Sequence, residues 1–266
     1  MIYVVLPAFN EARAIGPTVT ALATMARGRE DRFHIVLVDD GSSDDTTSVA
    51  RAALDACQCP IGFTTLRHEV NQGLGAALRT GLYWCVQEAA DDDVVVTLDA
   101  DNTHPAAMIP HLVGRLDQGF DLCIASRYRP GAAVRGVPLY RRVLSDAGRL
   151  VFQALYPIPG VRDYTCCFRA YRIGVLRRAR AVYGDDLCTA RGFEAVMDLL
   201  LRLGALDLHA SELGFVLDYG PRVGQSKMKV LRTIRSTTAL LLRRRWQRMT
   251  RQRTPAAKLA LHPERQ

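Results

Sequence analysis

The chain has 266 residues, 48% of them hydrophobic and 23% charged, which excludes a disordered polypeptide and allows one substantial core. Its net charge of +8 points to an anionic partner, whether nucleic acid, a nucleotide substrate or an anionic membrane surface. The seven cysteines, at 57, 59, 85, 123, 166, 167 and 188, sit mostly in apolar runs without zinc-ligand spacing and read as buried thiols of a reducing compartment.

Ile2–Leu6 reads as a strand stopped by Pro7-Ala8-Phe9-Asn10-Glu11, with a helix from about Gly16 to Ala26. Ile35–Val38 is a second strand, closed by Asp39-Asp40-Gly41-Ser42-Ser43-Asp44-Asp45-Thr46. That segment is turn chemistry followed by an N-cap, and its helix runs to about Ala56. A third strand, Ile61 to Leu66, leads through Asn71-Gln72-Gly73-Leu74-Gly75 into a helix over Ala76–Ala89. The fourth strand, Val94-Val95-Val96-Thr97-Leu98, is apolar and β-branched enough to be buried on both faces, and it ends in Asp99-Ala100-Asp101. Asp121–Ala125 is the fifth. Strands alternating with helices at this spacing predict an α/β fold with a doubly wound, mainly parallel sheet.

Further on, Ser126–Leu139 reads as a loop over the active edge, Arg141–Tyr156 as a helix and Asp163–Arg172 as a short mixed segment. Gly192–Leu203 is expected to be helical and Leu206–Tyr219 to hold one or two strands. Met228–Met249 is a basic amphipathic helix by its pattern, with Leu231, Ile234, Thr238, Leu242, Trp246 and Met249 in a stripe and arginines on other faces. Such a helix either lies on an anionic membrane or packs its stripe on the sheet. No apolar run reaches the ~18 residues of a spanning helix, and no signal peptide precedes Ile2. The expectation is a cytoplasmic protein with any membrane contact made peripherally, from the inner face.

In an extended segment, residues two apart project to one side, so Asp99 and Asp101 are expected to converge at the carboxyl end of their strand, where open α/β sheets bind ligands. Two carboxylates there repel, and a hard divalent cation shared with a substrate's phosphates relieves the repulsion. A helix cap would need only one of them. Pro7–Glu11 adds an aromatic face and a carboxylate, and Asp39-Asp40 adds acceptors for base or ribose donors. Together these describe a metal-dependent nucleotide site. Gly73-x-Gly75 lacks the third glycine of a dinucleotide fingerprint, Leu78 standing there. No recognition helix or aromatic-studded sheet supports nucleic-acid binding.

The segments Pro7–Glu11, Val38–Thr46, Asn71-x-Gly73-x-Gly75-x-Ala77 and Asp99-Ala100-Asp101-x-x-His104-Pro105, in this order, resemble the inverting GT-A glycosyltransferases of family 2. Ser126-Arg127-Tyr128, Arg141 with Ser145, Asp163-x-Thr165-x-x-Phe168-Arg169, and Arg222 ahead of Gly224-Gln225-Ser226-Lys227 are similar to the dolichol-phosphate mannosyltransferase branch, the polyprenyl-phosphate sugar synthases. The resemblance implies a Rossmann-like nucleotide half over about 1–125, an acceptor half over about 126–227, and a separate amphipathic helix and tail over 228–266. It places Mg²⁺ or Mn²⁺ on Asp99 and Asp101. It gives donor binding to Pro7, Phe9, Glu11, Asp39, Asp40, Ala100, Arg222 and Lys227 beside them, and catalysis to Asp101, Arg127, Arg141 and Ser145.

The implied reaction moves a sugar from a GDP- or UDP-type nucleotide-sugar donor to a polyprenyl or dolichyl phosphate. A soluble hydroxyl or phosphate acceptor is the alternative. A phosphate monoester with its second pKa at about 6 arrives largely as a dianion, so positioning and charge neutralisation suffice, and Asp163 would act as base only for an alcohol. Three positions depart from the branch: Thr103 where glutamine is frequent, Cys167 where glycine is usual, and a late loop one residue short between Arg222 and Gly224.

Overall fold

The computed structural model describes residues 1–29, 32–218 and 235–244. The chain divides into two compact units, Met1–Gln225 and Ser226–Gln266. In the second unit residues 235–244 are helical. The rest of the expected Met228–Met249 helix and its tail lie outside the described residues, as do Arg222 and Lys227.

The strands of the first unit are β1 (Ile2–Ala8), β2 (Phe33–Asp39), β3 (Gly62–Arg67), β4 (Val94–Thr97), β5 (Leu122–Ser126), β6 (Ala133–Arg135), β7 (Arg169–Arg172), β8 (Ala210–Gly214) and β9 (Val216–Asp218). Its helices are α1 (Ala12–Ala26), α2 (Thr46–Cys57), α3 (Leu74–Glu88), α4 (Ile109–Asp117), α5 (Leu139–Leu155), α6 (Ile173–Tyr183) and α7 (Glu194–Leu203). Seven strands form one sheet in the order β3-β2-β1-β4-β7-β5-β8, and β6 pairs with β9 in a second, two-stranded one. Every pairing in the large sheet is parallel except those of β7, which runs antiparallel to both β4 and β5.

β1 runs through Pro7 to Ala8, two residues beyond the expected stop. The Ala8 carbonyl accepts from Asp40 on the β2 side, whereas the Val5 carbonyl accepts from Leu98 on the β4 side. Pro7 therefore has its missing N–H on the β4 side, past the last β1–β4 pair, Val5 with Thr97. A proline is tolerated where the ladder has already ended. α1 likewise starts at Ala12, earlier than expected from composition, because its first donors are satisfied by the neighbouring loop after β2.

β7 is the larger surprise. Alternation would seat β5 beside β4, yet β7 stands between them. Its core residues Ala170 and Tyr171 are flanked by arginines, which disguised it in the sequence. Arg169 is fully buried, donating to the carbonyls of Val196 and Tyr164 (both 2.8 Å), and Arg172 donates to the Phe120 carbonyl (3.3 Å). The expected division near residue 125 is therefore no break in the sheet, since β7 and β8 complete it from the later part of the chain. α6 had no expectation attached. Its buried Ile173, Leu176 and Ala179 recur every three residues but are diluted by Arg177, Arg178 and Arg180.

Candidate active site

The parallel strands end along one edge, where the loops hold one another. Asn10 is left-handed (φ 52°), a conformation its short amide tolerates. Its N–H donates to Ser42 Oγ (3.0 Å), and its Oδ1 accepts from the Ser43 N–H (2.8 Å). The Glu11 N–H donates to Thr46 Oγ1 (2.8 Å) and the Ala12 N–H to Asp44 Oδ2 (3.1 Å). The orphan donors at the start of α1 are thus capped from across the edge, which fixes half-buried Phe9 and Glu11 beside Pro7.

Asp39 and Asp40 are buried and engaged by the protein's own donors. Asp39 accepts from the Ser42 N–H (2.8 Å) and the Thr47 hydroxyl (2.9 Å), with Arg67 Nη1 at 3.4 Å. Burial pushes its pKa up, but the bonds from Ser42 and Thr47 and the charge of Arg67 outweigh this and hold it below the ordinary carboxylate value. Asp40 accepts from the N–H groups of Gln72 (2.9 Å) and Gly73 (2.8 Å) and lies 2.7 Å from His68 Nδ1. His68 Nε2 reaches Thr80 Oγ1 at 3.0 Å. The two carboxylates, expected as acceptors for base or ribose donors, here bind the loops after β2 and β3 together. Gly41 (φ 72°) makes this possible, because a Cβ there would meet the Val70 carbonyl carbon at 2.6 Å.

β4 ends at Thr97, so Asp99-Ala100-Asp101 lies in a turn, and the strand alternation expected to align its carboxylates does not operate. Local bonds shape it instead. Asn102 is left-handed (φ 60°), and Asp101 Oδ1 accepts from the Thr103 N–H (3.2 Å) and hydroxyl (2.6 Å), an Asx-type arrangement. The Ala100 carbonyl accepts from Thr18 Oγ1 of α1 (3.1 Å). The Asp99 N–H donates to His104 Nδ1 (3.1 Å), which puts the proton of a neutral ring on Nε2, 3.8 Å from Asp99 Oδ2. His104 is buried and stacked on Phe168 with centroids 5.1 Å apart. The turn is held from below while the Asp99 side chain stays 36% exposed and Asp101 half-buried. Among the described residues no three His, Cys, Asp or Glu side chains form a metal cage. Two accessible oxygen donors suit instead a hard divalent cation that takes its other ligands from water and phosphate oxygens.

On the other side of the edge, Arg127 meets Asp163 in a two-pronged pair, Nε to Oδ2 at 2.8 Å and Nη2 to Oδ1 at 2.7 Å. The Arg127 N–H also donates to Oδ2 (3.1 Å), and the N–H groups of Thr165 and Cys166 donate to Oδ1 (3.2 and 3.1 Å). Burial would raise the pKa of Asp163, but the Arg127 charge and these bonds depress it to about 2. So weak and saturated a carboxylate is unsuited to general-base work. Tyr128 Oη and Ser145 Oγ, 2.9 Å apart, tie α5 to the end of β5, and Arg149 lies over the Tyr128 ring at 4.8 Å. Arg141 is in the first turn of α5.

Sequence reasoning missed Glu212 of β8. Its buried carboxylate accepts from the N–H groups of Arg162 (2.7 Å) and Asp163 (2.6 Å) and from Arg129 Nε (2.8 Å), and so presents Asp163 to Arg127. The available signal was a single acid inside an otherwise uncharged strand. Cys167 packs with Leu78 and Val196 in the core, and its carbonyl accepts from Thr97 Oγ1 (2.6 Å).

Comparison with known proteins fits this geometry. The chain is 34% identical over 175 residues to a polyprenol monophosphomannose synthase of Mycolicibacterium smegmatis, covering 66% of this chain and 63% of that one. It is 28% identical over 228 residues to a dolichol-phosphate mannosyltransferase of Pyrococcus furiosus, covering 85% of this chain and 58% of that one. The matched stretch thus spans less than two thirds of either relative. Among solved structures, glucosyl-3-phosphoglycerate synthase from Mycobacterium tuberculosis, in complex with Mn²⁺, UDP and glucosyl-3-phosphoglycerate, superposes with a TM-score of 0.60 at 26% identity, over 92% of this chain and 79% of that one. The sheet with its flanking helices is accordingly a GT-A fold. The profile of the glycosyl transferase family 2 matches residues 3–179, which include the three strand-end loops and the Arg127–Asp163 pair, and the chain belongs to that family.

Proposed function

We propose that the protein transfers a sugar from a nucleotide-sugar donor to a lipid-borne phosphate, using Mg²⁺ or Mn²⁺ held by Asp99 and Asp101, at the cytoplasmic face of a membrane. The observation that carries this reading is the turn after β4, which fixes two accessible carboxylates through its backbone at the ligand-binding edge of the sheet. The names of the relatives support a polyprenyl- or dolichyl-phosphate acceptor, and the Mn²⁺ and UDP of the structural neighbour support the metal and the nucleotide.

The cation, when bound, supplies positive charge to the donor's diphosphate as the bond from sugar to phosphate breaks. The chain's own residues do the rest. Pro7, Phe9 and Glu11 line the nucleoside side, braced by the loop after β2, and Asp39 and Asp40 set the loops around it. Arg127, held rigid by Asp163, receives the acceptor phosphate together with Arg141 and Ser145 of α5; the phosphate-binding roles of Arg222 and Lys227 rest on the family resemblance, both residues lying outside those the structure describes. Because the acceptor is largely a dianion near neutrality, no residue need remove its proton, which accords with Asp163 being unfit to do so.

The test is transfer of labelled mannose from GDP-mannose, or glucose from UDP-glucose, to undecaprenyl phosphate in vesicles and to 3-phosphoglycerate in solution, with Mn²⁺ or with EDTA. Lipid-linked product formed only with metal is expected. Product on 3-phosphoglycerate alone would favour the second reading, a soluble phosphorylated acceptor, for which the structural neighbour speaks. Equal turnover in EDTA would remove the metal from Asp99 and Asp101.

A further inference from the structure

The charges around Tyr128 are unevenly matched. Arg127 is taken up by Asp163 in its two-pronged pair, and Arg129 by Glu212 at 2.8 Å. Both carboxylates are buried, so neither pair presents net charge to a ligand. Arg149 of α5 differs. Its guanidinium carbon lies 4.8 Å from the centre of the Tyr128 ring, and Nη1 donates to the neutral amide of Gln153 (3.3 Å). No carboxylate among the described residues forms an ion pair with it, and Asp146, the single acid on the helix, is exposed. Arg149 Nε is buried, so the head is folded back on the ring, where a helix-surface arginine would ordinarily extend into water. Its position is as telling. Arg149 stands one turn after Ser145, whose hydroxyl is 2.9 Å from Tyr128 Oη, and positions 141, 145 and 149 share one face of the helix at four-residue spacing. The Arg127 guanidinium carbon is 5.6 Å from the centre of the same ring.

We propose that Arg149 binds the phosphate monoester of the acceptor and supplies there the positive charge that Asp163 cancels on Arg127. The inference deepens the phosphate-acceptor reading above and rests on it. A phosphate dianion leaving water needs charge as well as hydrogen bonds. The Arg127–Asp163 pair provides rigid donors but, as a neutral unit, little net attraction. Arg149 provides the attraction. Stacking on Tyr128 uses only the face of its guanidinium and leaves in-plane N–H groups for phosphate oxygens, a division that arginine allows and lysine does not. The ring that carries Arg149 is also the one whose hydroxyl holds Ser145, so one side chain sets both groups. The chemistry recognised is the monoester itself, whether its alcohol is a polyprenol or a small soluble molecule.

The experiment is steady-state transfer by the full chain, comparing wild type with Arg149→Gln and Arg149→Lys. KM is measured separately for the donor and for two acceptors, undecaprenyl phosphate and 3-phosphoglycerate. Glutamine is expected to raise the acceptor KM roughly tenfold to a hundredfold, the range of one charge-assisted hydrogen bond, with kcat, donor KM and melting temperature little changed. Lysine should recover most of that loss, because it restores the charge. The acceptor whose KM responds identifies the source of the phosphate, lipid or soluble. An unchanged acceptor KM overturns the proposal. So does a rise shared by donor and acceptor with a fall in melting temperature, or a lysine variant no better than glutamine; either makes Arg149 a packing contact of α5. Should the glutamine variant fail to fold, the wild-type protein decides. Geranyl phosphate should protect Arg149 from phenylglyoxal in peptide mass mapping, and equal modification with and without it overturns the proposal. A protein that transfers sugar to neither acceptor sinks the reading above, and the protection measurement then decides the role of Arg149 by itself.

Discussion

Asp101 both shapes its turn and, on the reading above, binds the cation, and the two roles separate on substitution. Asparagine at 101 keeps an acceptor for Thr103 but removes the charge. Asp101→Asn is expected to lower kcat by roughly 10²–10³-fold, the scale of losing one preorganised electrostatic partner, and to abolish the metal dependence of donor binding with little change in melting temperature. Calorimetric titration of UDP with and without Mn²⁺ checks this, and unchanged metal dependence would clear Asp101 of the role. Asp163 makes a prediction about pH. Its folded pKa of about 2 lies below the unfolded value of about 3.9. Its contribution to stability is therefore present above pH ~4 and is lost as the pH falls towards 2. Asp163→Asn should cost about 3–5 kcal/mol at neutral pH by stranding Arg127, and should flatten the acid slope between pH ~4 and ~2 in urea unfolding. Residue types and their order were legible in the chain here; their partners were not. Strand-end position pointed to Asp39 and Asp40 and the family resemblance to Asp163, but only the fold revealed the donors that already occupy them: Ser42 and Thr47 for Asp39, the Gln72 and Gly73 N–H groups for Asp40, and Arg127 for Asp163.

The strand-to-helix junctions show the same limit at the scale of elements. Gly73-x-Gly75 reads in the chain as an ordinary turn before a helix. Its reason is spatial: a Cβ on Gly75 would stand 1.7 Å from the Ala190 carbonyl oxygen, and the Gly75 N–H donates to the Arg191 carbonyl (3.3 Å). Gly75→Ala should therefore destabilise by about 1–3 kcal/mol through overpacking. It should also weaken UDP binding, since the adjacent Gly73 N–H is what Asp40 holds; a thermal melt with and without nucleotide measures both. A variant as stable as wild type would mean that the 190–191 segment yields. Of the first five strands, β1, β2, β4 and β5 were legible because their apolar runs are bounded by turn residues, and β3 because Phe63, Thr64, Thr65 and Leu66 are strand-favouring and lead into the glycine-marked turn before α3. β7 and α6 were not, because buried or flanking arginines that bond to carbonyls look, in a sequence, like solvent-facing charge.

At the scale of the molecule, the loops after β1, β2 and β3 and the turn after β4 are linked through Asn10, Thr46, Asp40 and Thr18, so they should respond together. In hydrogen exchange, adding UDP with Mn²⁺ is expected to slow amides across 9–11, 40–46, 71–75 and 99–104 jointly. Slowing confined to 99–104 would show that the loops move independently. The antiparallel strand in the middle of the sheet has its own consequence for how such proteins are made and exchanged. A chain emerging from the ribosome has completed β1 to β5 long before Arg169–Arg172 appears, and until then β4 and β5 each carry an unpaired inner edge, the kind of edge that recruits other strands. The seam that recombination or an engineer would choose, just after β5, therefore separates the sheet from its own centre strand. A chimaera that takes its first 125 residues from one relative and the remainder from another imports a foreign β7 between native neighbours. Acceptor specificity should transplant intact only when the residues facing β7 on β4 and β5 travel with it.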